Sequence, residues 1–156
     1  MPKKAKSPIP EGMKTVTPTL AFRGDCIKAI ELYPRAFGAK VVFPAEKTPD
    51  GKVMHAMIKI GDSNIMLSDS FAPAANTSGL KSILWLYVKD CDALYNKAVA
   101  AGCKVTMPIA DAFWGDRLGQ VTDPFGHVWN IASRKWVLTP AEMKAGEEQW
   151  RKSGKM

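Results

Sequence analysis

The chain of 156 residues lacks a long apolar run. It contains only three cysteines and two histidines. Its longest uninterrupted apolar stretch, Ile83–Val88, is far too short to cross a membrane, so a membrane protein is not expected. No lysine-flanked apolar segment opens the sequence, which argues against a secretory signal. Cys26, Cys91 and Cys103 show no paired spacing and are odd in number. Reduced, buried thiols in a cytoplasmic protein are therefore expected.

Several function classes lack their usual motifs. The sequence contains no nucleophile elbow, Ser-His-Asp signature, phosphate loop or dinucleotide fingerprint. The net charge of +7 suggests nucleic acid, but residues 1–14 and 134–156 contribute +3 each and residues 15–133 only +1. Nucleic-acid association through these basic ends is kept as a third hypothesis. It predicts binding that weakens steeply with salt and is lost when residues 1–14 and 140–156 are deleted.

Apolar periodicity and turn signals predict two successive βαβββ modules, in residues 15–70 and 82–138. In the first module a strand over Val16–Phe22 precedes a helix over Cys26–Phe37, which Pro34 is expected to kink or break. Gly38–Pro44 and Gly102–Pro108 match at Gly, Lys, Val and Pro, which supports a duplication. In both copies the proline is expected to stop the strand. The predicted class is α+β, with a curved mixed sheet around a cleft and the helices on its outer face.

Three further segments complete the predicted organisation around a single domain of residues 15–138. Residues 1–14 form a flexible basic arm, and residues 71–81 form a linker between the modules. Residues 139–156 form a C-terminal helix and tail, which begins with a capping box between Thr139 and Glu142. Trp136 and Trp150, on or beside this segment, are expected to dock the helix or to contact a dimer partner.

Strand alternation separates two faces in the run that opens the second module. Leu84, Leu86 and Val88 form an aliphatic face suited to a helix, and Trp85 and Tyr87 point into the hollow. A hairpin with an Asp123–Gly126 turn follows later, and it is flanked by further aromatic and ionic side chains. Two large aromatics on the face away from the helix are typical of a ligand cavity, although such side chains can equally belong to a core.

The paired modules resemble the glyoxalase/bleomycin-resistance/dioxygenase superfamily, also called the vicinal oxygen chelate fold. Several motifs are similar to its PhnB-like branch, often labelled 3-demethylubiquinone methyltransferase-like. They are Ala29–Tyr33, Phe37–Ala39, Asp50–Ala56, Ile60–Ser63, Trp114–Arg117 and Asp123–His127. The resemblance covers roughly residues 15–140. It implies a homodimer in which modules of two chains can share a cavity.

The resemblance also implies where a metal would bind in the enzymes of this superfamily. The corresponding positions fall near Thr17, near Ile83, within Met66–Ser68 and at Asn130. None of them is a histidine, glutamate or aspartate, the ligand types that divalent metals require there. No cofactor is therefore predicted. A divalent metal stays possible only at a non-standard site, such as a facial triad of His55, His127 and Asp123.

Several side chains have two interpretations at this stage. His55 and His127 are candidate catalytic bases or ligands, because imidazole titrates near neutral pH, or they make only local hydrogen bonds. Arg117 either pairs with Asp116 at the surface or binds a carboxylate or phosphate in the cavity. The predicted ligand-binding set joins both strand aromatics to the hairpin residues. Its members are Trp85, Tyr87, Phe113, Trp114, Arg117, His55, His127 and Asn130.

Two main hypotheses for function follow. The first is a cytoplasmic, homodimeric small-molecule-binding protein that discriminates by cavity shape and stacking. The second is a metal-dependent lyase or dioxygenase that uses a non-standard site, or His55 as a base. Stoichiometric metal in fresh protein, lost on changing His55 or His127 to alanine, would favour the second hypothesis.

Overall fold

The helices and strands follow the order of two βαβββ modules and a final helix, as the sequence predicts. The computed structural model describes residues 3–70 and 82–154. Its elements are β1 Thr19–Phe22, α1 Cys26–Phe37, β2 Lys40–Lys47, β3 Val53–Ile60, β4 Ser63–Asp69, β5 Ile83–Tyr87, α2 Cys91–Ala100, β6 Lys104–Asp111, β7 Asp116–Thr122, β8 Val128–Arg134 and α3 Pro140–Lys152. Within the described ranges, none of the helices is long and apolar enough to span a bilayer.

The chain divides into two compact units, Met1–Thr77 and Ser78–Met156. Each unit holds one four-stranded mixed sheet, in the order β1-β4-β3-β2 or β5-β8-β7-β6. In both sheets the first and last strands of the module pair in parallel, and the other neighbours are antiparallel. The predicted α+β class and two-module architecture are confirmed. The predicted linker, residues 71–81, lies outside the described residues.

One face of each sheet packs on the helix of its own module. In the first unit the helix contributes small and aromatic side chains such as Ala29 and Tyr33, both fully buried. In the second unit Trp129 and Ile131, both on β8, are fully buried. Gly119 permits close approach there, because a Cβ at this position would lie 2.6 Å from Cε2 of Tyr95 on α2. Each sheet therefore has one helix-covered face and one open face.

A polar side chain at the end of the last strand anchors the start of each helix. Asp69 on β4 accepts hydrogen bonds from the backbone N–H groups of Gly24, Cys26 and Val53. Ser133 on β8 accepts one from Cys91 N at 2.9 Å. The bonds to Cys26 and Cys91 satisfy first-turn amides that a helix N-terminus leaves unpaired, and the bond to Val53 ties in the start of β3. In both modules a side chain of the last strand thus accepts a hydrogen bond from the first turn of the helix, but the side chain is different.

The prolines interrupt the elements less than the sequence predicts. Strand β2 continues through Pro44 to Lys47, and β6 continues through Pro108 to Asp111. Both strands lie at a sheet edge and carry register shifts, where a missing N–H costs little. Helix α1 likewise runs through Pro34 to Phe37, so the predicted early break is wrong.

Two further local predictions need correction. The first strand starts at Thr19 rather than Val16, and it contains only four residues. The sequence places Ile27, Ile30, Tyr33 and Phe37 at helical spacing, which predicts them as the apolar face of α1. The buried face is instead formed by Cys26, Ala29, Leu32, Tyr33, Ala36 and Phe37, and Ile27 and Ile30 are only half-buried. The capping box of Thr139 and Glu142 at the start of α3 is confirmed.

Candidate functional site

Two aromatic side chains stand on the open face of the second sheet. Trp85 and Tyr87 on β5 are 42% and 62% exposed, and their rings stack with centroids 5.9 Å apart and an interplanar angle of 22°. Leu84 and Leu86 are less exposed, in agreement with the predicted alternation. Exposing two stacked rings leaves a large apolar area in water, which is typical of a contact surface.

A buried carboxylate holds this aromatic face in place. Asp116 at the start of β7 is 5% exposed. Its Oδ2 accepts hydrogen bonds from the Tyr87 hydroxyl at 2.8 Å and from Trp114 Nε1 at 2.9 Å. The hydrogen bond to Asp116, with some desolvation, raises the pKa of Tyr87. Among the described residues, Oδ1 of Asp116 has no hydrogen-bond partner, so one carboxylate oxygen is available to a ligand.

An amide pair lies beside the indole of Trp85. Asn130 on β8 pairs in register with Trp85 on one side and with Gln120 on the other. The Gln120 Nε2 donates to Asn130 Oδ1 at 2.9 Å. Neither Gln120 Oε1 nor Asn130 Nδ2 has a hydrogen-bond partner in the described ranges. The pair therefore offers one acceptor and one donor next to an exposed ring.

Arg117 belongs to the helix side of the sheet. Its guanidinium forms a two-pronged contact with Asp92 of α2, at 2.8 and 2.9 Å, and reaches Asp111 at 3.2 Å. The hydrogen bonds from Arg117 lower the pKa of the Asp92 carboxyl. The Asp116–Arg117 ion pair considered from the sequence is therefore replaced by these contacts. A role for Arg117 in ligand binding stays an untested prediction. Its guanidinium already binds the carboxylates of Asp92 and Asp111.

Phe113 and Trp114 link the aromatic face to the C-terminal helix. Their rings meet edge to face with centroids 5.1 Å apart, and Phe113 also contacts Trp150 of α3 at 5.5 Å. Docking of the helix by Trp150 is thus observed, whereas Trp136 is 70% exposed. Of this pair, only Trp114 bonds to Asp116 and so takes part in the aromatic face.

The two histidines lie in different units. His55, half-buried on β3, contacts the ring of Phe43 at 5.3 Å. His127 closes the Asp123 turn, where its backbone N–H donates to Asp123 Oδ1 at 3.0 Å. The other carboxylate oxygen of Asp123 accepts from Trp129 Nε1, so this side chain supports the turn. Catalytic or ligand roles for the histidines stay predictions.

The residues at the superfamily's metal positions do not fit a divalent ion. Ile83 is apolar, Thr17 carries only a hydroxyl, and Asn130 Oδ1 already accepts from Gln120. Within residues 3–70 and 82–154, there is no group of three or more His, Cys, Asp and Glu side chains placed to hold a metal. The donor types lack the charge that borderline divalent cations need.

Sequence reasoning missed two members of the site. The sequence suggested Asp116 only as a partner of Arg117, and Gln120 was not among the predicted site residues. Asp116 and Gln120 share one face of β7 with Leu118, opposite to Arg117 and Gly119, which is a usable signal once the strand bounds are known. Their partners could not be read from the sequence, because Tyr87 and Asn130 come from other strands.

Residues 15–131 match the family model of the Glyoxalase/Bleomycin resistance protein/Dioxygenase superfamily. The chain is 37% identical over 130 residues to the uncharacterized protein Rv0887c of Mycobacterium tuberculosis, which covers 78% of this chain and 75% of that protein. It resembles the structure of PA1353 from Pseudomonas aeruginosa with a TM-score of 0.62 and 29% identity, over 80% of this chain and 100% of that one. The PhnB protein from Bacillus cereus shares the fold, with a TM-score of 0.59 at 19% identity over 77% of this chain and 99% of that chain. The chain therefore belongs to the glyoxalase/bleomycin resistance/dioxygenase superfamily, and its structural neighbours include PhnB-like members.

Proposed function

We propose that this protein binds a small planar molecule on the open face of its second sheet. The observation that carries the proposal is the exposed Trp85–Tyr87 stack, anchored through Tyr87 to the buried Asp116. Exposed aromatic side chains without a hydrogen bond can change rotamer freely. Because the hydroxyl of Tyr87 is hydrogen-bonded to Asp116, less side-chain entropy is lost when a ligand binds.

A ligand on this face can make two kinds of contact, stacking on the aromatic rings and hydrogen bonds along its own edge. A flat conjugated ring gains about 0.5–1.5 kcal/mol from an offset aromatic contact, beyond the burial of apolar area. Gln120 Oε1 and Asn130 Nδ2 supply an acceptor and a donor for the edge of such a ring. Asp116 Oδ1 supplies a further acceptor close to Tyr87. The preferred ligand is therefore a planar heterocycle that carries both hydrogen-bond donors and acceptors.

The test compares how much ligand the purified protein retains after either of two exposed tryptophans is replaced. Small molecules released from purified protein by denaturation are quantified by mass spectrometry for wild type, Trp85→Ala and Trp136→Ala. Trp136 is a matched control, since it is 70% exposed and lies beyond β8. Loss of one stacking partner is expected to reduce the retained aromatic compound about tenfold or more in Trp85→Ala. Equal retention by wild type and Trp85→Ala would refute the proposed surface.

We also propose a cytoplasmic location and a homodimeric state. Cys26, Cys91 and Cys103 are free and buried, which is typical of a reducing compartment. Both open sheet faces carry exposed apolar side chains that a second copy could cover. Binding by stacking requires no metal, so this function is compatible with the residues at the superfamily's metal positions.

A further inference from the structure

The buried aspartates of the described residues differ in how fully their carboxylates are bonded. Asp69, Asp116 and Asp123 are each 5% exposed or less. Both oxygens of Asp69 accept backbone N–H groups. In Asp123, Oδ1 accepts two backbone N–H groups of its own turn, and Oδ2 accepts the indole N–H of Trp129. Every oxygen of these two carboxylates is therefore paired within the fold.

Asp116 has one oxygen that is left open. Its Oδ2 accepts from the Tyr87 hydroxyl and from Trp114 Nε1, and no backbone N–H of the described residues donates to the carboxylate. Asn64 Oδ1 is the unpaired side-chain atom that is fully buried in this part of the chain, so the unpaired Oδ1 of Asp116 keeps surface that a ligand can reach. Because Tyr87 bonds to the same carboxylate, that oxygen lies at the edge of the Trp85–Tyr87 stack.

The charge of Asp116 has no counter-ion in the described part of the chain. No ion pair there includes Asp116. The base opposite it in the sheet is Arg134, which is exposed and forms no ion pair with the described residues either. A buried carboxylate normally has a cationic partner or a full set of donors, because a charge taken out of water without compensation is costly. Asp116 has neither, so a cation is the group that this position lacks.

We propose that the planar molecule bound on the aromatic face is a cation. Its protonated nitrogen donates to Asp116 Oδ1, and its ring lies against the Trp85–Tyr87 pair. A flat amidinium or guanidinium suits both contacts, because its N–H groups lie in one plane and its charge is attracted to aromatic faces. This inference rests on the proposed function: the aromatic pair supplies the surface, and Asp116 selects the charge of the ligand. A carboxylate or phosphate in the same place is repelled by Asp116.

The first experiment varies only the charge of a flat probe. Benzamidine, benzamide and benzoate share a phenyl ring and a three-coordinate substituent, and at neutral pH they are a cation, a neutral molecule and an anion. Ligand-observed NMR titrations with the full chain measure the three dissociation constants. Benzamidine is expected to bind about tenfold or more tightly than either analogue. Equal binding of benzamidine and benzamide, tighter binding of benzoate, or no saturable binding of benzamidine overturns the proposal.

The second experiment assigns the charge selection to one side chain. Asp116→Asn can still accept from both aromatic donors through its amide oxygen, but it then turns an NH₂ group towards the ligand. The affinity for benzamidine is expected to fall to that for benzamide, which itself changes little. Asp62→Asn removes an exposed carboxylate of the first unit and is the control. Unchanged benzamidine binding in Asp116→Asn overturns the proposal.

A third variant leaves the buried carboxylate intact. Arg134→Met is expected to tighten benzamidine binding about twofold, because it removes a like charge opposite Asp116 at the protein surface. Lys135→Met removes the same charge at the next, also exposed, position and is the matched control. Weaker benzamidine binding in Arg134→Met overturns the proposal, since Arg134 rather than Asp116 would then contact the probe.

Trp85→Ala separates this inference from the function on which it rests. All three probes are expected to weaken by a similar factor in this variant, because each of them stacks on the same rings. If the probes bind wild type equally and Trp85→Ala weakens them all, the planar-ligand surface stands and the cation is refuted. If Trp85→Ala changes none of them while Asp116→Asn still weakens benzamidine, the aromatic surface is refuted and the cation contact stands.

Discussion

One carboxylate oxygen of Asp116 accepts hydrogen bonds from two aromatic side chains that reach it from different segments, Tyr87 on β5 and Trp114 before β7. Because Asp116 is buried, these bonds form where competition from water is weak. The same residue therefore fixes the position of both rings. At the scale of single residues, the candidate surface depends on this side chain as much as on the aromatics themselves.

Replacing Asp116 with asparagine is expected to lower the pKa of Tyr87 towards the ordinary tyrosine value of about 10. The hydrogen bond to the carboxylate raises that pKa, and its negative charge adds to the effect. Ultraviolet titration of phenolate absorbance measures the change. Tyr87→Phe assigns the transition, and Asp62→Asn removes one carboxylate from the other unit as a control. An unchanged Tyr87 titration in Asp116→Asn would contradict the role assigned to Asp116.

The raised pKa of Tyr87 also sets the sign of a stability change at high pH. The folded chain holds the phenolic proton more tightly than the unfolded chain, so this contribution is fully present below about pH 10. It is lost as the pH rises through the folded pKa. Urea unfolding at increasing alkaline pH should show a smaller loss of stability for Tyr87→Phe than for wild type. A steeper loss in the variant would contradict this linkage.

At the scale of elements, the two modules join helix to sheet with different groups. Asp69 satisfies three backbone amides in the first unit, whereas Ser133 satisfies one in the second and donates to Val88 O at 2.6 Å. The number of groups left unpaired on removal therefore differs between the two sites. This asymmetry predicts unequal costs for the same truncation.

Asp69→Ala is expected to destabilise its unit by about 3 kcal/mol, because several buried donors lose their acceptor. Ser133→Ala is expected to cost about 1–2 kcal/mol, the usual value for a lost cap. Urea denaturation followed by far-ultraviolet circular dichroism measures both values. Asp90→Ala is a useful comparison, since Asp90 caps α2 through Ala93 N near the surface. A larger cost for Ser133→Ala than for Asp69→Ala would be inconsistent with this account.

Helix α3 lies on the second unit through a small contact. It has no buried residue, and its Gly146 approaches Phe113 so closely that a Cβ would lie 3.1 Å from the Phe113 carbonyl oxygen. Glycine in a helix interior costs about 1 kcal/mol relative to alanine. Its presence here is explained by the close approach to Phe113. The helix thus depends on a missing side chain for its docking.

Gly146→Leu is expected to detach α3 while the sheet of the second unit stays folded. Leucine favours helix formation, so loss of docking separates contact from propensity. Limited trypsin digestion should cleave the variant at Lys144 and Arg151 about tenfold faster than wild type, because detached segments open more often. Ala145→Leu, which adds the same side chain at an exposed position, is the control. Equal cleavage of Gly146→Leu and wild type would argue against this docking contact.

At the scale of the whole molecule, each unit leaves an apolar open face. Besides the Trp85–Tyr87 surface, the exposed apolar side chains on these faces are Phe43, Ile83 and Met107. Clusters of exposed apolar side chains usually mark a surface that another molecule covers. The proposed homodimer accounts for them.

Sedimentation velocity is expected to show a species with twice the mass of the chain that dissociates on dilution. Met107→Asp should weaken this association about tenfold or more, because a charge on an apolar contact loses its hydration. Val99→Asp, on the exposed side of α2, is the matched control. A chain that stays monomeric at every concentration tested would refute the homodimer.

Local patterns in the sequence were sufficient for much of the architecture. The helix over Cys26–Phe37, the alternation around Trp85 and the capping box at Thr139 depend on neighbours within a few residues. The proline stops at Pro44 and Pro108 were wrong for a non-local reason. A proline ends a central strand but is tolerated at an edge, and edge position is a property of the whole sheet.

The sequence by itself determined the order of elements, the two-module organisation and the faces of the strands, because these follow from backbone preferences and short periodicities. Only the tertiary structure decided which side chains meet. It paired Asp116 with Tyr87 and Trp114, Arg117 with Asp92, and Asn64 with Gly12. Such contacts join residues that strand pairing and chain packing bring together, and sequence spacing carries no information about their partners.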